Sequence, residues 1–488
     1  MARKEEIVKE RLKKIEALKK AGIKAYEYCF DKKNNCSELQ EKYKNLGKGE
    51  KTKEKAVVAG RILNIRDMGK LIFSDLQDSS GKIQLQLQEK ETQKKEIDFF
   101  KKFVDSGDWI GAEGVIVRTK RGELTVLVKK IKLLAKSLLP LPEKWHGLQD
   151  KEERYRKRYL DLIMNPEVKK VFEIRARILK IIREFMEKNN FVEIETPLLQ
   201  AVYGGASAKP FKTHCDAFDS DVYLSIAPEI YLKKALVGGF ERVYEITKKF
   251  RNEGVDKHHN PEHMTIEWYQ AYADYNEGMR LFENLMKEIA LKLFGKTTIE
   301  YQGHRINLEK WQKISLEDAI KKYLGEDISK VKNDKDAKKI AKKYNIEPEK
   351  VTKGNLADEL LKLFRDKLIQ PVFLIDYPIE LAPLAKPKRD DPTKAEIFQP
   401  FVGGLELGRA YSELNDPLLQ EKHFKEQEEE RKKGNEEAMP TDKDFIEALK
   451  HGMPPACGVG IGIERMVMLF TNTSSIIEVI MFPFMKPK

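Results

Sequence analysis

Short segments in which apolar and polar residues alternate fill the chain between residues 55 and 135. The alternation is clearest in KIQLQLQ (82–88) and ELTVLV (123–128), and the turn sequences SSG and KRG lie beside these segments. A period of two places successive side chains on opposite faces of a strand, so each segment is predicted to be a strand with one buried face. The pattern predicts a small antiparallel barrel with one helix at 94–105.

Five strands of this kind suit an OB-fold, whose open face binds oligonucleotides. On that face Phe73 would stack on a base, while Arg66, Gln84 and Glu123 would contact base edges or phosphates. The alternative is that Phe73 belongs to the core, which is the commoner place for an aromatic residue in a small barrel. The alternation alone leaves both readings open.

Length, charge and cysteine content limit which class of protein this chain can belong to. With 488 residues it is too long for one ordinary domain, and 35% of them are charged. No apolar run approaches the ~20 residues that span a bilayer, and the charged start, MARKEEIVKERLKK, has no secretory core, so we expect a cytoplasmic protein. The four cysteines form no C-x-x-C pair. The net charge of +12 favours a polyanionic partner such as nucleic acid or a phosphorylated substrate.

Changes of pattern predict the domain boundaries. Residues 1–54 are predicted to be a helical extension, 55–137 the barrel, and 138–164 a linker rich in proline, arginine and acids. From 165 to 488 longer helices and strands predict a second, larger domain. Within it, the lysine-rich stretch around 304–366 is predicted to be a helical insertion.

One stretch concentrates charge and aromatic surface: FRNEGVDKHHNPEHMTIEWY (250–269). It is predicted to be a hairpin whose alternation places Arg251, Glu253, Glu267 and Tyr269 on one face. An arginine there offers a planar fork for a carboxylate or phosphate, and a glutamate offers an anion for an ammonium. The histidine spacing H-H-x-x-x-H fits no standard zinc pattern. The stretch therefore predicts a hairpin face that forms the floor of a substrate-binding site, rather than a metal centre.

Three segments in this order resemble the signature motifs of the class II aminoacyl-tRNA synthetases. FMEKNNFVEIETPLL (185–199) resembles motif 1, a helix and a strand that ends at Pro197; the hairpin resembles motif 2; and GVGIGIERMVMLF (458–470) resembles motif 3, with Arg465 as its arginine. The resemblance implies an α+β protein in which a five-stranded OB-fold barrel precedes a catalytic domain with a mainly antiparallel sheet flanked by helices. Motif 1 in this class builds a two-fold interface, which implies a homodimer.

Further segments are similar to the lysyl-specific branch of that class. They include IAPEIYLKKALVGGFERVYEI (226–246), IDYPIELAPLAK (375–386) and SELNDPLLQ (412–420). The similarity runs from about residue 10 to the C-terminus and is weakest in 300–366. It implies a ligase that activates L-lysine with ATP to lysyl-adenylate and then transfers lysine to the 3′ end of tRNA(Lys).

The resemblance also implies roles for site residues. Arg251 would hold the substrate carboxylate and the α-phosphate, and Arg465 would meet the γ-phosphate and cap the adenine. Glu253 would contact the adenine amino group, and His259 and Asn260 would touch phosphate or shape the loop. His263 stands where the family usually has a phenylalanine that stacks on adenine, so its contribution is expected to depend on pH.

A buried ammonium needs carboxylates at the far end of the lysine pocket. By resemblance, Glu267, Glu413 and Tyr269 would bind the side-chain ammonium, and Gly205 and Glu229 the α-amino group. The full set of lysine-binding residues that the resemblance implies is Gly205, Glu229, Arg251, Glu267, Tyr269, Arg409, Tyr411 and Glu413. A pocket for aspartate or asparagine would instead carry cationic or amide groups at its far end.

Two residues depart from the family pattern. The implied magnesium ligands are Glu406, Glu413 and Gln399, but Gln399 replaces an expected acid and brings no charge. Arg409 stands where asparagine is usual and places a permanent cation near the pocket. We therefore keep two alternatives: a class II synthetase of the aspartate or asparagine type, and a non-catalytic RNA-binding protein of this fold. If tRNA is the partner, Arg66, Phe73, Gln84 and Glu123 would read a U-rich anticodon.

Overall fold

In the computed structural model the chain divides into two compact units, Met1–Gln149 and Asp150–Lys488. The structure describes residues 2–142, 150–347, 351–432 and 438–487. The part of the predicted linker at 143–149 lies outside the described residues. Within these ranges, no helix is both long and apolar enough to cross a bilayer.

The first unit is a closed five-stranded barrel preceded by two helices, which confirms the predicted OB-fold class. Its elements are α1 (Ala2–Lys20), α2 (Cys36–Lys42), β1 (Lys51–Asp67), β2 (Leu71–Gln77), β3 (Lys82–Gln88), α3 (Lys94–Phe103), β4 (Trp109–Arg118) and β5 (Leu124–Ala135). The strands close in the order β1-β2-β3-β5-β4. The alternation has the predicted consequence, because Ile83, Leu85 and Leu87 point into the core while the glutamines between them do not.

The second unit begins with helices where a linker is predicted. Residues 151–164 form α4 (Lys151–Arg156) and α5 (Arg158–Met164). Arg158 is buried, pairs with Asp161 at 2.8 Å and donates to the Met481 carbonyl. A buried, paired arginine ties this segment to the C-terminal part of the same unit, so these residues belong to the unit rather than to a linker.

A large sheet organises the second unit, with strand order β14-β15-β16-β18-β19-β11-β10-β6 and β17 paired to β16. All of its pairs are antiparallel except β6 with β10 and β14 with β15, as predicted for a mainly antiparallel sheet. The elements of the unit after α5 are α6 (Glu167–Lys188), β6 (Val192–Glu193), β7 (Leu199–Gln200), β8 (Lys212–Cys215), β9 (Ser220–Leu224), α7 (Glu229–Val237), β10 (Arg242–Phe250), β11 (Glu262–Ala271), α8 (Tyr275–Phe294), β12 (Thr298–Tyr301), β13 (His304–Asn307), β14 (Gln312–Ser315), α9 (Leu316–Leu324), α10 (Asp334–Lys343), α11 (Leu356–Leu361), β15 (Val372–Ile375), β16 (Ile397–Val402), β17 (Leu405–Glu406), β18 (Gly408–Ser412), α12 (Pro417–Lys432), α13 (Lys443–Lys450), β19 (Ala456–Gly462), α14 (Ile463–Thr471) and α15 (Ile476–Val479).

The apolar faces of α6, α8 and α14 pack on one side of this sheet. Phe185, Phe282, Trp268 and Met466 lie in the resulting core, each at most 4% exposed. Burying large apolar side chains in this way stabilises the unit by roughly 1.5–3 kcal/mol for each of them. The helices fill this side, so the opposite face of the sheet is left for a cleft.

Two boundaries differ from the sequence-based expectation. β1 begins at Lys51, inside the predicted helical extension, because Lys51 pairs with Val117 of β4 before a break in register. The predicted helical insertion contains strands up to Ser315, because β14 adds to the large sheet in parallel with β15. Helices begin only at Leu316, where Ser315 caps α9 by accepting from the Asp318 amide.

Candidate active site

A cleft of about 290 Å³ lies in the second unit, and its walls come from loops, from α7, and from strands β11, β18 and β19. Thirteen of the predicted site residues line it: Gly205, Glu229, Arg251, Glu253, His259, Asn260, His263, Glu267, Tyr269, Glu406, Arg409, Tyr411 and Arg465. They come from segments more than 250 residues apart along the chain, so the fold alone brings them together. Gln399 and Glu413 do not line this cleft.

The hairpin predicted around 250–269 forms the floor. β10 and β11 pair in antiparallel register with Lys249 opposite His263 and Glu245 opposite Glu267. Side chains directly opposite each other share a face, and the period of two places His263, Thr265, Glu267 and Tyr269 on the same face. All four line the cleft, as the alternation predicts.

Carboxyl groups cluster at one end of the cleft. Glu229, the first residue of α7, is 2.6 Å from the Lys233 ammonium and accepts a hydrogen bond from the Tyr411 hydroxyl at 2.6 Å. Lys233 is also 2.5 Å from Glu413, and both of these side chains are fully buried. Burial opposes the charge on Lys233, but the attraction of Glu229 and Glu413 raises its pKa. This group, which we call the acidic trio (Glu229, Lys233, Glu413), holds two carboxyl groups for one ammonium and can accept another positive charge.

Glu267 adds a third carboxyl group beside the trio. Burial, followed by repulsion from Glu229, raises the pKa of Glu267 to about 8. Its neighbour Tyr269 is buried, and burial also raises the pKa of its hydroxyl. In the empty cleft Glu267 is therefore largely protonated at neutral pH, and a bound cation would favour its ionised form.

Glycines let backbone approach this end closely. A Cβ at Gly458 would lie 2.0 Å from a Glu413 carboxylate oxygen and 2.3 Å from the Tyr269 ring. Gly205 has φ +85°, and a Cβ there would lie 2.8 Å from the Glu229 Cβ. Any larger residue would displace the carboxyl groups, so the glycines keep the acidic end open.

Arginines dominate the other end. Arg251 follows β10 directly, its Nε is buried, and its guanidinium makes no hydrogen bond or ion pair with the described residues. Arg465, in the first turn of α14, donates to the Glu406 carbonyl at 2.8 Å and lies 3.3 Å from the His259 ring. Burial lowers the pKa of Arg251, yet a guanidinium stays charged in proteins. Arg251 is therefore a permanent cation that forms no ion pair with the described residues, although Glu253, Glu267 and Glu406 lie near enough to attract it.

His263 lies between these arginines and Glu267, and its environment corrects one expectation. Burial, together with the charges of Arg251 and Arg465, lowers the pKa of His263 to about 3. The ring is thus neutral throughout the physiological range, and the predicted pH dependence at this residue is wrong. A neutral imidazole remains a flat surface on which a base can stack.

Only one of the three predicted magnesium ligands lines the cleft. Gln399 is buried, and its side-chain oxygen accepts a hydrogen bond from Tyr377 at 2.5 Å. Glu413 is held by Lys233, and only Glu406 lines the cleft. Among the described residues there is no group of three histidine, cysteine or acidic side chains placed to hold a metal ion. Mg²⁺ is commonly bound through one or two carboxylates together with substrate phosphates, so Glu406, Glu413 and Gln399 stay predicted ligands.

Sequence reasoning missed two residues of the site. Lys233 completes the acidic trio, and its spacing four residues after Glu229 on a helix was the available signal. Tyr377 is fully buried between Gln399 and Arg409, with the Arg409 guanidinium 5.8 Å from its ring centre. Nothing in the local sequence indicates that second contact, because the three residues come from separate segments.

The predicted nucleic-acid face lies in the first unit. Arg66 pairs in register with Phe73, and the guanidinium lies 6.0 Å from the ring centre. Phe73 is only partly buried, so it lies outside the barrel core. Gln84 accepts a hydrogen bond from Thr125, and Glu123 is exposed.

Comparison with known proteins agrees with this architecture. The family described as tRNA synthetases class II (D, K and N) matches residues 150–486, and the OB-fold nucleic acid binding domain matches residues 56–134. The chain is 44% identical over 484 residues to a lysine-tRNA ligase of Thermosipho africanus, covering 99% of this chain and 96% of that protein. It is 46% identical over 485 residues to a lysine-tRNA ligase of Clostridium perfringens, covering 98% and 96%, and 44% identical over 485 residues to one of Thermotoga maritima, covering 99% and 96%. The chain belongs to the class II tRNA synthetases and, within them, to the lysine-tRNA ligase family.

Proposed function

We propose that this protein is a lysine-tRNA ligase, an ATP-dependent enzyme that joins lysine to the 3′ end of its tRNA. The observation that carries this conclusion is the polarity of the cleft: buried carboxyl groups at one end and unpaired guanidinium charge at the other. A zwitterion with a second ammonium at the tip of its side chain complements this arrangement, because each charge meets its opposite. The lysine-tRNA ligases described above share the whole length of the chain.

The first step activates the amino acid. An oxygen of the lysine carboxylate attacks the α-phosphorus of ATP. The new O–P bond gives the mixed anhydride lysyl-adenylate, and the bond from the α-phosphorus to the bridging oxygen of the β-phosphate breaks, so pyrophosphate leaves. Arg251 would bind the attacking carboxylate and the α-phosphate, and Arg465 the terminal phosphate. Such a reaction needs positioning and charge stabilisation rather than a protein nucleophile.

The second step transfers the lysyl group to a ribose hydroxyl of tRNA and releases AMP. Glu253 and the neutral His263 ring would hold the adenine, while His259, fixed by Asp256 at 2.9 Å, and Asn260 would shape the phosphate loop. The family generally uses magnesium with ATP, and of the three predicted magnesium ligands Glu406 lines this cleft. Both the activation step and the transfer step therefore use the side chains of this chain.

Selection of lysine would come from the acidic end. Glu267 and Tyr269, with Glu413 outside the cleft lining, would stabilise the side-chain ammonium, and Glu229 with Gly205 would hold the α-amino group. An aspartate or asparagine side chain would meet carboxyl groups that repel it or leave it unpaired. We infer lysine specificity from this charge pattern.

The pKa of Glu267 predicts how lysine affinity depends on pH. The free cleft binds a proton at Glu267 below about pH 8, and this proton must leave when an ammonium arrives, so lysine binds more weakly as the pH falls. We expect the Kd for lysine, measured by calorimetry, to rise by about tenfold from pH 8.5 to pH 7. In Glu267→Gln the affinity should be weak and nearly independent of pH; the same slope in that variant would contradict the assignment.

The barrel would bind the anticodon of tRNA(Lys), with Phe73, Arg66, Gln84 and Glu123 at the contact. Phe73→Ala removes a stacking surface worth roughly 1–3 kcal/mol, so the KM for tRNA should rise about 5- to 150-fold. ATP–pyrophosphate exchange without tRNA should not change, since the cleft lies in the other unit. Phe99→Ala, which alters a partly buried ring packed against the barrel core, is the matched control. A loss of exchange, or equal effects in both variants, would argue against the anticodon contact.

Domain roles and assembly follow from the same proposal. Residues 55–137 would be the anticodon-binding domain, and the second unit, which begins with the helices at 151–164, would be the catalytic domain. We infer that the protein is a cytoplasmic homodimer. The strand β6 forms one end of the large sheet. Val192 and Phe240, both about half exposed, line a shallow cleft beside this strand. Sedimentation of the intact protein tests this, and a fully active monomer would contradict the dimer.

The decisive test of the function is ATP–pyrophosphate exchange by the purified protein with each of the twenty amino acids. Exchange with lysine alone is expected, followed by charging of tRNA(Lys). Strong exchange with aspartate or asparagine would overturn the specificity. No exchange with any amino acid would favour a non-catalytic RNA-binding role.

A further inference from the structure

Arg409 places a guanidinium in the wall of the cleft. It lies on β18 and lines the cleft, and its Nε is buried without a hydrogen-bond partner. Its guanidinium makes no hydrogen bond or ion pair with the described residues. A buried guanidinium nitrogen without a hydrogen-bond partner costs free energy, which a ligand in the cleft would offset.

Stacking holds this side chain in place. The Arg409 guanidinium lies 5.8 Å from the centre of the Tyr377 ring, and Tyr377 is fully buried. The Tyr377 hydroxyl is in turn fixed by its 2.5 Å hydrogen bond to Gln399. Because Gln399 is neutral, it does not neutralise the guanidinium as a glutamate at that position would.

The nearest candidate for an internal counter-charge is Asp358 on α11. Its carboxyl pairs with Lys362 at 3.7 Å and lies more than 4.0 Å from Arg409. Burial raises the pKa of Asp358, which favours its neutral form. Arg409 thus remains available to a molecule in the cleft.

We propose that Arg409 is a second anion-binding arginine of the cleft, positioned beside the ring of Tyr377. The inference rests on the proposed function and deepens it. Its ligand is a pair of anionic oxygens, which belong either to the lysine carboxylate or to an ATP phosphate. A carboxylate and a phosphate each offer two oxygens that can accept paired hydrogen bonds from a guanidinium.

Equilibrium binding to the full-length protein distinguishes the two sources. Calorimetry would compare L-lysine, L-lysinol (in which an alcohol replaces the carboxylate) and ATP, each added alone. In Arg409→Gln, loss of a charge-assisted contact should weaken one anionic ligand by about 10- to 100-fold. A carboxylate contact weakens lysine but not lysinol, whereas a phosphate contact weakens ATP alone.

Two further variants keep the test decisive if Arg409→Gln does not fold. Arg409→Lys keeps the charge but loses the fork, so it should recover part of the affinity. Gln399→Glu introduces a carboxylate beside Tyr377 and should weaken the same ligand as Arg409→Gln. Arg280→Gln, which alters an exposed arginine of α8, is the matched control.

Unchanged affinity for lysine and ATP in folded Arg409 variants would overturn the inference. So would equal losses for lysine and lysinol, which would indicate a general disturbance of the pocket. These results are separable from failure of the proposed function, in which the unaltered protein itself would show no lysine-dependent exchange.

Discussion

Replacing Arg251 with glutamine is expected to reduce lysine-dependent ATP–pyrophosphate exchange by about 10²- to 10³-fold, the usual effect of removing one preorganised donor to a developing charge. Arg251 lies at the end of the hairpin strand, at the floor of the cleft, and its side chain forms no hydrogen bond or ion pair with the described residues. The glutamine side chain also ends in a hydrogen-bond donor, but it lacks the positive charge and the paired N–H donors of a guanidinium. The loss should therefore appear mainly in kcat, where charge builds up on the phosphorus.

Arg251→Lys should recover only part of the rate, because an ammonium is a point charge that cannot bind two oxygens side by side. Arg280→Gln, an exposed arginine paired with Glu277, should leave exchange unchanged. Circular dichroism would show that the variants are folded. If Arg251→Gln were as active as the control, the assignment of this arginine to the reacting groups would be wrong.

Replacing Lys233 with methionine is expected to destabilise the catalytic unit by about 3–5 kcal/mol, because two buried carboxyl groups lose their shared counter-charge. The ammonium is 2.6 Å from Glu229 and 2.5 Å from Glu413, and it is fully buried. Methionine preserves much of the volume, so the effect reports the charge rather than a cavity. Urea unfolding followed by the fluorescence of the buried Trp268 would measure it.

Lys287→Met provides a matched control. Lys287 pairs with Glu283 at the same helical spacing of four residues, but on the surface of α8. A partly exposed helical pair of this kind contributes only about 0.3–0.5 kcal/mol. Equal destabilisation in the two variants would mean that the acidic trio is not a coupled buried group. The exchange rate of Lys233→Met would further show whether the trio orders the lysine-binding end.

The alternation of apolar and polar residues was sufficient to predict the barrel and the hairpin at the floor of the cleft. A period of two has only one consistent arrangement when one face is buried, so KIQLQLQ and the stretch from His263 to Tyr269 point as predicted. Helix ends were less predictable. Residues 151–164 are helical because Arg158 finds buried partners in the C-terminal segment, a contact between residues more than 300 positions apart.

Residue types in the motifs were likewise sufficient to identify the family and thirteen residues of the cleft. Only the tertiary structure decided how those residues are paired and charged. The pKa of His263 depends on burial beside Arg251 and Arg465, and that of Glu267 on its distance from Glu229, which no local pattern records. Gln399 and Arg409 are neighbours through Tyr377 alone. Local sequence determined the strands and the chemistry available, whereas charge state and metal fit depend on distances between segments, which only folding establishes.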